Sequence, residues 1–397
     1  MLISHDGKVE NSSLIMKRLY NKAIERKKPI SCMIGLTFHC NLKCRMCAYS
    51  YPHGSIHCEK PIRFDEWKTL LLQLRDIGIV ELGITGGEPL SHPDFREIYT
   101  FASSLGFKIT LKANGTLLSD DLKNLFSEYV PDCTMITIYG GSPETYRDVT
   151  GSADAYDKVV DAIKFFNGLK THLTVTQTMV KQNVHDIQKI FNLITPFGLK
   201  LNSCNDIHKH INPNVKTDYM DMRLTPAQRV CLSSNYICDA ENALAEAEIL
   251  EKEKYRREKR IPKSYNNTSE EKREAAYCFD ALTGFFLDAD GTMRYCQEYS
   301  TPPYYPLRDG ILKSWEDMFS EMDKYFYNLD FCEDCEYKKY CKSNCPARMI
   351  LNGIDTDSPD EYTCEYAFLN MIYKNEYMKT VERRTDKQNE EIHETDS

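Results

Sequence analysis

Short apolar runs alternate with longer segments of helical periodicity along the first half of the chain. Six strand-like runs lie at 32–38, 80–85, 107–113, 135–139, 173–180 and 200–204. Helical spacing of apolar residues fills the intervals between them, at 64–77, 93–105, 119–128, 155–169 and 184–194. Strands that alternate with helices form a parallel sheet, and right-handed crossovers curl such a sheet towards a barrel. The pattern predicts an α/β fold, a partial (β/α)6 barrel, with functional residues at the carboxyl ends of the strands.

The remaining segments differ in pattern and indicate the domain boundaries. Residues 1–29 form an N-terminal lead with one predicted helix at 14–26, and residues 30–205 form the barrel. Residues 206–277 are a linker or insertion with a long charged helix at 239–260. In residues 278–370, short segments with turns and seven cysteines predict a small second domain. Residues 371–397 are charged and poor in apolar side chains, so we expect this tail to be disordered.

Composition narrows the class of protein. The chain has 397 residues, a formal net charge of -9 and 16 cysteines. The negative charge disfavours a nucleic-acid partner or an anionic membrane surface, and the chain has no run of 18 apolar residues that would span a membrane. The N-terminus lacks the features of a secretory signal, so we expect a cytoplasmic protein. Because that compartment disfavours disulfides, so many cysteines indicate metal or iron–sulfur binding.

The first cysteine group directly follows the first strand. Cys40, Cys44 and Cys47 are separated by three and two residues, which allows one loop to surround an iron–sulfur cluster. Three thiolates would bind three irons of a 4Fe–4S cluster and leave the fourth iron open, as catalytic metal sites require. A zinc site is an alternative at this stage, with a fourth ligand drawn from His39, His53, His57 or Cys58.

This cysteine motif resembles the signature of the radical S-adenosylmethionine (SAM) superfamily. A second motif, Gly86-Gly87-Glu88-Pro89, follows the second strand, at the place where that family binds the methionine ammonium of SAM. Glycine permits close approach of the backbone, and Glu88 offers a carboxylate to a cation. The resemblance implies that SAM also contacts Asn114, at the end of the third strand, and Thr137, on the fourth. For Thr137, ordinary strand packing is an equal alternative.

The seven C-terminal cysteines resemble the SPASM domain, an extension of certain radical SAM enzymes that binds two auxiliary 4Fe–4S clusters. The resemblance implies that an outer cluster is held by Cys332, Cys335, Cys341 and Cys364. An inner cluster would be held by Cys278, Cys296 and Cys345, with its fourth position open, taken by a substrate atom, or filled by Cys231 or Cys238. A zinc ribbon is the alternative for these spacings. We expect packing roles for the other cysteines, Cys32, Cys58, Cys133 and Cys204.

The resemblance implies an enzyme that cleaves SAM reductively and removes a hydrogen atom from its substrate with the 5′-deoxyadenosyl radical. We expect oxidative modification of a ribosomally synthesised peptide, through a thioether or carbon–carbon crosslink. The alternatives are a dehydrogenase or epimerase of a sugar-like small molecule and a non-enzymatic zinc or iron–sulfur scaffold. No general acid or base is identified, and the candidates for lining the substrate entrance are Tyr49, Tyr51, His53 and Asp206.

The same resemblance implies two kinds of protein partner beside the peptide substrate. One is an electron donor of the flavodoxin or ferredoxin type, because SAM cleavage of this kind consumes an electron. The other, a separate leader-peptide recognition protein, is one of three possibilities where only about 30 residues precede the first strand; the alternatives are direct capture of the peptide and a small-molecule substrate.

Overall fold

The computed structural model describes residues 14–49, 61–212, 215–234, 240–256, 278–299, 303–322, 332, 335–341, 347 and 360–377. Contacts along the chain define two compact units. The first comprises Met1–Arg223, Ala275–Tyr327 and Cys345–Gly353. The second comprises Leu224–Glu274, Asn328–Asn344 and Ile354–Ser397. The predicted alternation of strands and helices lies in the first unit.

One sheet organises the first unit. Its strands are β1 Ser31–Gly35, β2 Glu81–Thr85, β3 Lys108–Ala113, β4 Cys133–Ile138, β5 His172–Thr178, β6 Leu201–Cys204, β7 Gly284–Leu287 and β8 Met293–Arg294. They lie in the order β6-β5-β4-β3-β2-β1-β7-β8. Strands β1 to β6 pair in parallel, which confirms the predicted α/β fold and partial barrel. Strand β7 extends the parallel sheet beside β1, and β8 turns back antiparallel to it.

Helices fill the connections between the strands. The described helices are α1 Leu14–Arg26, α2 Phe64–Asp76, α3 Phe95–Ser104, α4 Asp120–Glu128, α5 Pro143–Thr150, α6 Ala155–Asn167, α7 Ile187–Ile194, α8 Tyr219–Met222, α9 Pro226–Ser234, α10 Ala240–Arg256, α11 Phe279–Thr283, α12 Pro306–Asp309, α13 Ile311–Ser320 and α14 Glu361–Ile372. The helices expected from periodicity are confirmed, with ends that differ by at most four residues. The predicted helix at 184–194 begins as a 3-10 turn, Val184–Asp186, before α7.

Helix α5 is absent from the elements that apolar periodicity predicts, although its termini carry strong local signals. The Ser142 side chain accepts a hydrogen bond from the Thr145 amide at 3.3 Å, and Pro143 occupies the first turn. The helix ends at Gly151, whose φ of 77° is a left-handed conformation that suits glycine. Capping residues, rather than an apolar stripe, define this helix.

The two faces of the sheet have different environments. On β3, Leu111 and Ala113 belong to the core that the strands share with helical side chains such as Trp67 and Phe126. Alternate residues on a strand point to opposite faces, so Lys112 lies on the other face. That concave face carries partly exposed side chains, among them Met33, Lys112, Met135, Thr137 and Thr176. The helix-covered face is the stabilising core, and the concave face is available for ligands.

The second unit is helical where it is described. Arg229 on α9 stacks its guanidinium over the rings of Tyr362 and Tyr366 on α14, at 5.3 and 4.6 Å from the ring centroids. The Tyr362 hydroxyl donates to the Leu224 carbonyl at 2.6 Å. Helix α10 confirms the long charged helix expected near 239–260. Within the described part of the chain, no helix is both long and apolar enough to cross a membrane.

Candidate functional site

The first cysteine loop is joined by backbone hydrogen bonds to the loop that follows β2. The Leu36 amide donates to the Thr85 carbonyl at 2.9 Å, which continues the β1–β2 pairing beyond the strand ends. The Gly87 amide donates to the Thr37 carbonyl at 2.7 Å, and the Glu88 amide donates to the His39 carbonyl at 2.8 Å. The segment that leads into Cys40 and the Gly86-Gly87-Glu88-Pro89 motif therefore form one structure at the carboxyl end of the sheet.

Glycine is required at both of the first two positions of that motif. Gly86 has a φ of 144°, and a Cβ there would lie 2.7 Å from the Thr37 carbonyl oxygen. A Cβ on Gly87 would lie 2.3 Å from the His39 carbonyl oxygen. Both neighbours are backbone atoms, which cannot rotate away. The motif allows two loops to approach more closely than any side chain would permit.

The structure brings the three thiols of this loop together. Burial raises the pKa of Cys40 to about 12, with further contributions from Glu88 and Cys47. Burial, followed by the charges of Cys47 and Cys40, raises the pKa of Cys44 well above its usual value. The loop is fixed by hydrogen bonds from the Lys43 amide to the Thr150 carbonyl and from the Arg45 amide to the Val149 carbonyl, at 2.9 and 3.1 Å.

These thiols fit the ligand set of a 4Fe–4S cluster. Two donors already point at the Cys40 sulfur: the Leu42 amide at 3.4 Å and the Asn114 side-chain amide at 3.6 Å. Such donors stabilise a thiolate that binds iron. Among the described residues, no three His, Cys, Asp or Glu side chains converge on a single ion. A cubane does not require such convergence, because each thiolate binds a different iron.

Glu88 connects the ends of two neighbouring strands. Its side chain is fully buried, and its carboxylate accepts hydrogen bonds from the Asn114 amide at 2.7 Å and from the Leu90 amide at 3.2 Å. Burial raises the pKa of Glu88 to about 7. The two backbone hydrogen bonds lower the pKa and only partly offset the effect of burial. A carboxylate held in this environment gains stability when a cation binds beside it.

Asn114 is the second polar residue of the site. Its side-chain oxygen accepts from the Thr116 amide at 2.9 Å, and its side-chain nitrogen donates to the Asn41 side chain at 3.0 Å. These bonds orient the amide towards Cys40. Thr137, in contrast, lies on the concave face of β4 with a partly exposed side chain, and it takes no part in the hydrogen bonds that orient Asn114.

Tyr139 is a site residue that sequence reasoning missed. It directly follows β4, and its hydroxyl lies near Cys44, where it partly offsets the rise in the pKa of that thiol. Burial and the charges of Cys44, Cys40 and Cys47 raise the pKa of Tyr139 well above its usual value. Its position at the carboxyl end of a barrel strand is the signal that would have found it.

Of the proposed entrance residues, Tyr49 is buried and does not line a substrate entrance. Tyr49 is 6% exposed, and its hydroxyl donates to the buried carboxylate of Asp288 at 2.6 Å. The other oxygen of Asp288 forms an ion pair with Arg294 at 3.0 Å. Asp206 pairs with Arg223 at 3.2 Å. Tyr49 is therefore a buried structural residue, and Tyr51 and His53 lie outside the described residues.

Four of the C-terminal cysteines lie near one another in the second unit. In the second unit, burial and the charges of Cys341, Cys332 and Cys335 raise the pKa of Cys364 to about 12. These four thiols are therefore close to one another. In the first unit, Cys278 and Cys296 are partly exposed and pack against the main core. Cys345, the third residue assigned to the inner cluster, lies outside the described residues.

Of the remaining cysteines that the structure describes, three are buried and one is exposed. Cys32 and Cys133 are buried, in agreement with the expected packing role, and Cys231 is buried on α9. The expectation for Cys204 is wrong, because this residue is exposed at the end of β6. Strand β6 is the edge of the sheet, so its side chains have a neighbouring strand on one side only. Cys58 and Cys238 lie outside the described residues.

Comparison with known proteins agrees with this geometry. Residues 34–194 match the family model described as the Radical SAM superfamily. The matched residues include the first cysteine loop, the glycine motif and strands β2 to β5. This part of the chain is therefore a radical SAM domain.

Two curated proteins illustrate the likeness in sequence. The PqqA peptide cyclase of Bradyrhizobium diazoefficiens is 28% identical over 166 residues, which is 42% of this chain and 43% of that protein. The AdoMet-dependent heme synthase of Methanosarcina barkeri is 28% identical over 167 residues, 41% of this chain and 46% of that protein. The chain thus spans less than half the length of these curated relatives.

A solved structure extends the likeness in fold. Streptococcus suis SuiB, bound to its precursor peptide SuiA, superimposes with a TM-score of 0.60 and 14% identity. The match covers 90% of this chain and 83% of SuiB. At this identity, the likeness shows a common fold.

Proposed function

We propose that this chain is an enzyme that cleaves SAM reductively and oxidises a ribosomally synthesised peptide. The observation that carries the proposal is the joining of the Cys40–Cys47 loop to the Gly86–Pro89 motif. Through these bonds, three neighbouring thiols lie beside a buried carboxylate, Glu88. When bound, a 4Fe–4S cluster supplies one electron to SAM, and the 5′-deoxyadenosyl radical that results abstracts a hydrogen atom from the substrate.

The side chains of the site have separate roles in this proposal. Cys40, Cys44 and Cys47 hold the cluster, and Asn114 stabilises the Cys40 thiolate by donating to its sulfur. Glu88 binds the methionine ammonium of SAM, which balances the charge of the buried carboxylate. Gly86 and Gly87 keep the backbone close enough for this contact, and Thr137 provides a polar contact on the concave face.

The C-terminal cysteines give the reaction an electron acceptor. In this proposal, Cys332, Cys335, Cys341 and Cys364 hold one auxiliary 4Fe–4S cluster, and Cys278, Cys296 and Cys345 contribute to the other. A substrate that loses a hydrogen atom and then one proton and one electron undergoes a two-electron oxidation, which closes a thioether or carbon–carbon crosslink. An electron donor of the flavodoxin or ferredoxin type supplies the first electron, and a separate protein recognises the leader peptide. We assign the reaction to the cytoplasm, where thiols stay reduced.

Peptide substrates are supported by the relatives. One curated relative is a PqqA peptide cyclase, and SuiB has been solved with its precursor peptide. A second candidate function, oxidation of a small molecule, is favoured by the likeness to the AdoMet-dependent heme synthase, which matches a similar share of the chain.

Formation of 5′-deoxyadenosine by anaerobically reconstituted enzyme tests the core of the proposal. The wild type should form it from SAM and reductant, and a variant with Cys40, Cys44 and Cys47 replaced by Ala should not. Cys133→Ala is the matched control, because this buried cysteine lies on β4 away from the loop. Retained SAM cleavage in the triple variant would overturn the assignment.

The mass of a candidate peptide, encoded near this gene and treated in deuterated water, separates the reaction types. Loss of two hydrogens indicates crosslinking or dehydrogenation. Gain of one deuterium without oxidation indicates epimerisation. An unchanged peptide, with 5′-deoxyadenosine still formed, points to the small-molecule candidate or to a different peptide.

A further inference from the structure

Lys112 is a cation on the concave face of the sheet. It lies near the end of β3, two residues before Asn114, and is opposite Met135 in the register of β3 and β4. Its neighbours in sequence, Leu111 and Ala113, belong to the helix-covered core. Its side chain contacts Met33 on β1, which packs with the concave-face residues Phe286 and Tyr49. Lys112 therefore extends across the interior of the partial barrel.

The ammonium group of Lys112 lacks an acidic partner within the described part of the chain. Its nitrogen lies 3.7 Å from the Met33 sulfur, a weak acceptor. Lys108, on the same strand and the same face, instead pairs with Glu81 at 2.9 Å. Burial lowers the pKa of Lys112, and the charges of Asp280 and Cys133 only partly oppose this effect. A desolvated ammonium without a counter-ion is unfavourable unless a ligand supplies one.

A ligand can reach Lys112, because its side chain remains partly exposed on the concave face. Strand β2 lies between β1 and β3, and its residue opposite Met33 is Gly83, over which the Met33 side chain lies. Immediately beyond the end of β3, the Asn114 amide binds Glu88. The ammonium thus lies inside the barrel, below the carboxylate that we propose as the SAM contact.

We infer that Lys112 binds a carboxylate group of a ligand inside the barrel, an inference that rests on the proposed function. Two ligands of that function carry this chemistry. One is the methionine carboxylate of SAM, and the other is an acidic side chain of the peptide. In both cases the ion pair would form only in the complex, because the described residues provide no carboxylate within ion-pair distance of the Lys112 nitrogen.

Equilibrium binding to the anaerobic, cluster-loaded protein tests the first source. The probes are SAM and decarboxylated SAM, which differ only in the carboxylate. If SAM is the ligand, Lys112→Met should weaken SAM binding about tenfold to a hundredfold, as expected for loss of one charge-assisted contact. Binding of decarboxylated SAM should be unchanged, and Lys112→Arg should restore most of the affinity. Lys108→Met, on the same strand, is the matched control and should bind both probes as the wild type does.

Two N-acetylated, C-amidated peptides that differ by a central Glu or Gln test the second source. If the substrate is the ligand, SAM affinity should be unchanged in Lys112→Met. The wild type should then bind the Glu peptide more tightly than the Gln peptide, and Lys112→Met should lose that preference. Thermal unfolding shows whether the variant is folded; we expect no loss of stability, because the variant removes a partly desolvated ammonium that has no acidic partner among the described residues.

The inference is overturned if Lys112→Met binds SAM, decarboxylated SAM and both peptides as the wild type does. The proposed function would survive that result, provided that the wild type forms 5′-deoxyadenosine. If the wild type itself does not cleave SAM, the proposed function fails and the inference fails with it.

Discussion

Replacing Gly87 by Ala tests whether the close approach of the two loops is required for cluster binding. The new methyl group would lie 2.3 Å from the carbonyl oxygen of His39, the residue before Cys40, and 2.8 Å from that of Phe38. The loops must separate by about 1 Å to reach ordinary van der Waals contact. Overpacking of this kind costs about 1–3 kcal/mol. We expect the upper end of that range, because the opposing atoms are backbone and are held by the hydrogen bonds of Gly87 and Glu88.

The assay is iron content after anaerobic reconstitution, together with the visible absorbance of the cluster. Gly87→Ala should lose about four iron atoms per chain, while far-ultraviolet circular dichroism shows that the helices remain. Gly168→Ala is the control: this residue has a φ of -76°, and its nearest contact to a Cβ is 3.3 Å. If Gly87→Ala retained full iron content and SAM cleavage, the argument that these loops must touch would be refuted.

Three further predictions concern Glu88, Tyr49 and Cys335. Because the pKa of Glu88 is raised to about 7, the folded state holds its proton more tightly than the unfolded state, and metal-free protein should lose up to about 3 kcal/mol as pH rises from 4.5 through 7. Glu88→Gln should flatten this dependence of melting temperature on pH; an unaltered slope would exclude Glu88 as its source. Tyr49→Phe removes a hydrogen bond to a buried carboxylate and should destabilise the protein by about 1.5–3 kcal/mol in chemical denaturation. Tyr99→Phe, which removes a bond to a carbonyl, should have a smaller effect. Cys335→Ser should lose about four iron atoms per chain and still form 5′-deoxyadenosine; unchanged iron would contradict the ligand assignment.

The parallel sheet is predictable because each strand and helix carries its own periodic pattern. The ends of the strands are less predictable, and β1 shows the reason. The apolar run continues to Phe38, but the strand ends at Gly35. Leu36, Thr37 and Phe38 are buried in the loop that follows: the loop after β2 hydrogen-bonds to Leu36 and Thr37, and Phe38 packs with Tyr49 and Phe286. Burial in a loop and burial in a strand produce the same apolar sequence, so periodicity cannot separate them.

Strand β7 was not predictable from local pattern. Gly284–Leu287 is a four-residue apolar run that pairs with β1, about 250 residues earlier in the chain. Nothing in so short a run specifies its partner. The pairing is determined by tertiary packing, in which Phe285 stacks near Trp315 and Phe286 contacts the concave-face cluster. Long-range pairings of this kind depend on contacts that a single sequence does not display.

The candidate site was predictable as a set of residues but not as a set of contacts. Glu88 and Asn114 belong to separate motifs, and their hydrogen bond arises only because β2 and β3 are adjacent. Lys112 has the sequence of an ordinary charged strand residue. That it has no acidic partner among the described residues emerges when Lys108, on the same face, is seen to pair with Glu81. Charge pairing is a property of three-dimensional neighbours, which sequence spacing does not provide.

The buried network of Tyr49, Asp288 and Arg294 links two of the cysteine segments in the first unit. Tyr49 lies two residues after Cys47, and Arg294 lies two residues before Cys296. The 2.6 Å hydrogen bond and the 3.0 Å ion pair both end on one carboxylate, which is 1% exposed. A movement of either segment would leave that buried charge without a partner, at a cost of several kcal/mol. The two segments are therefore held in a fixed relation, as electron exchange between the metal centres that we propose for them would require.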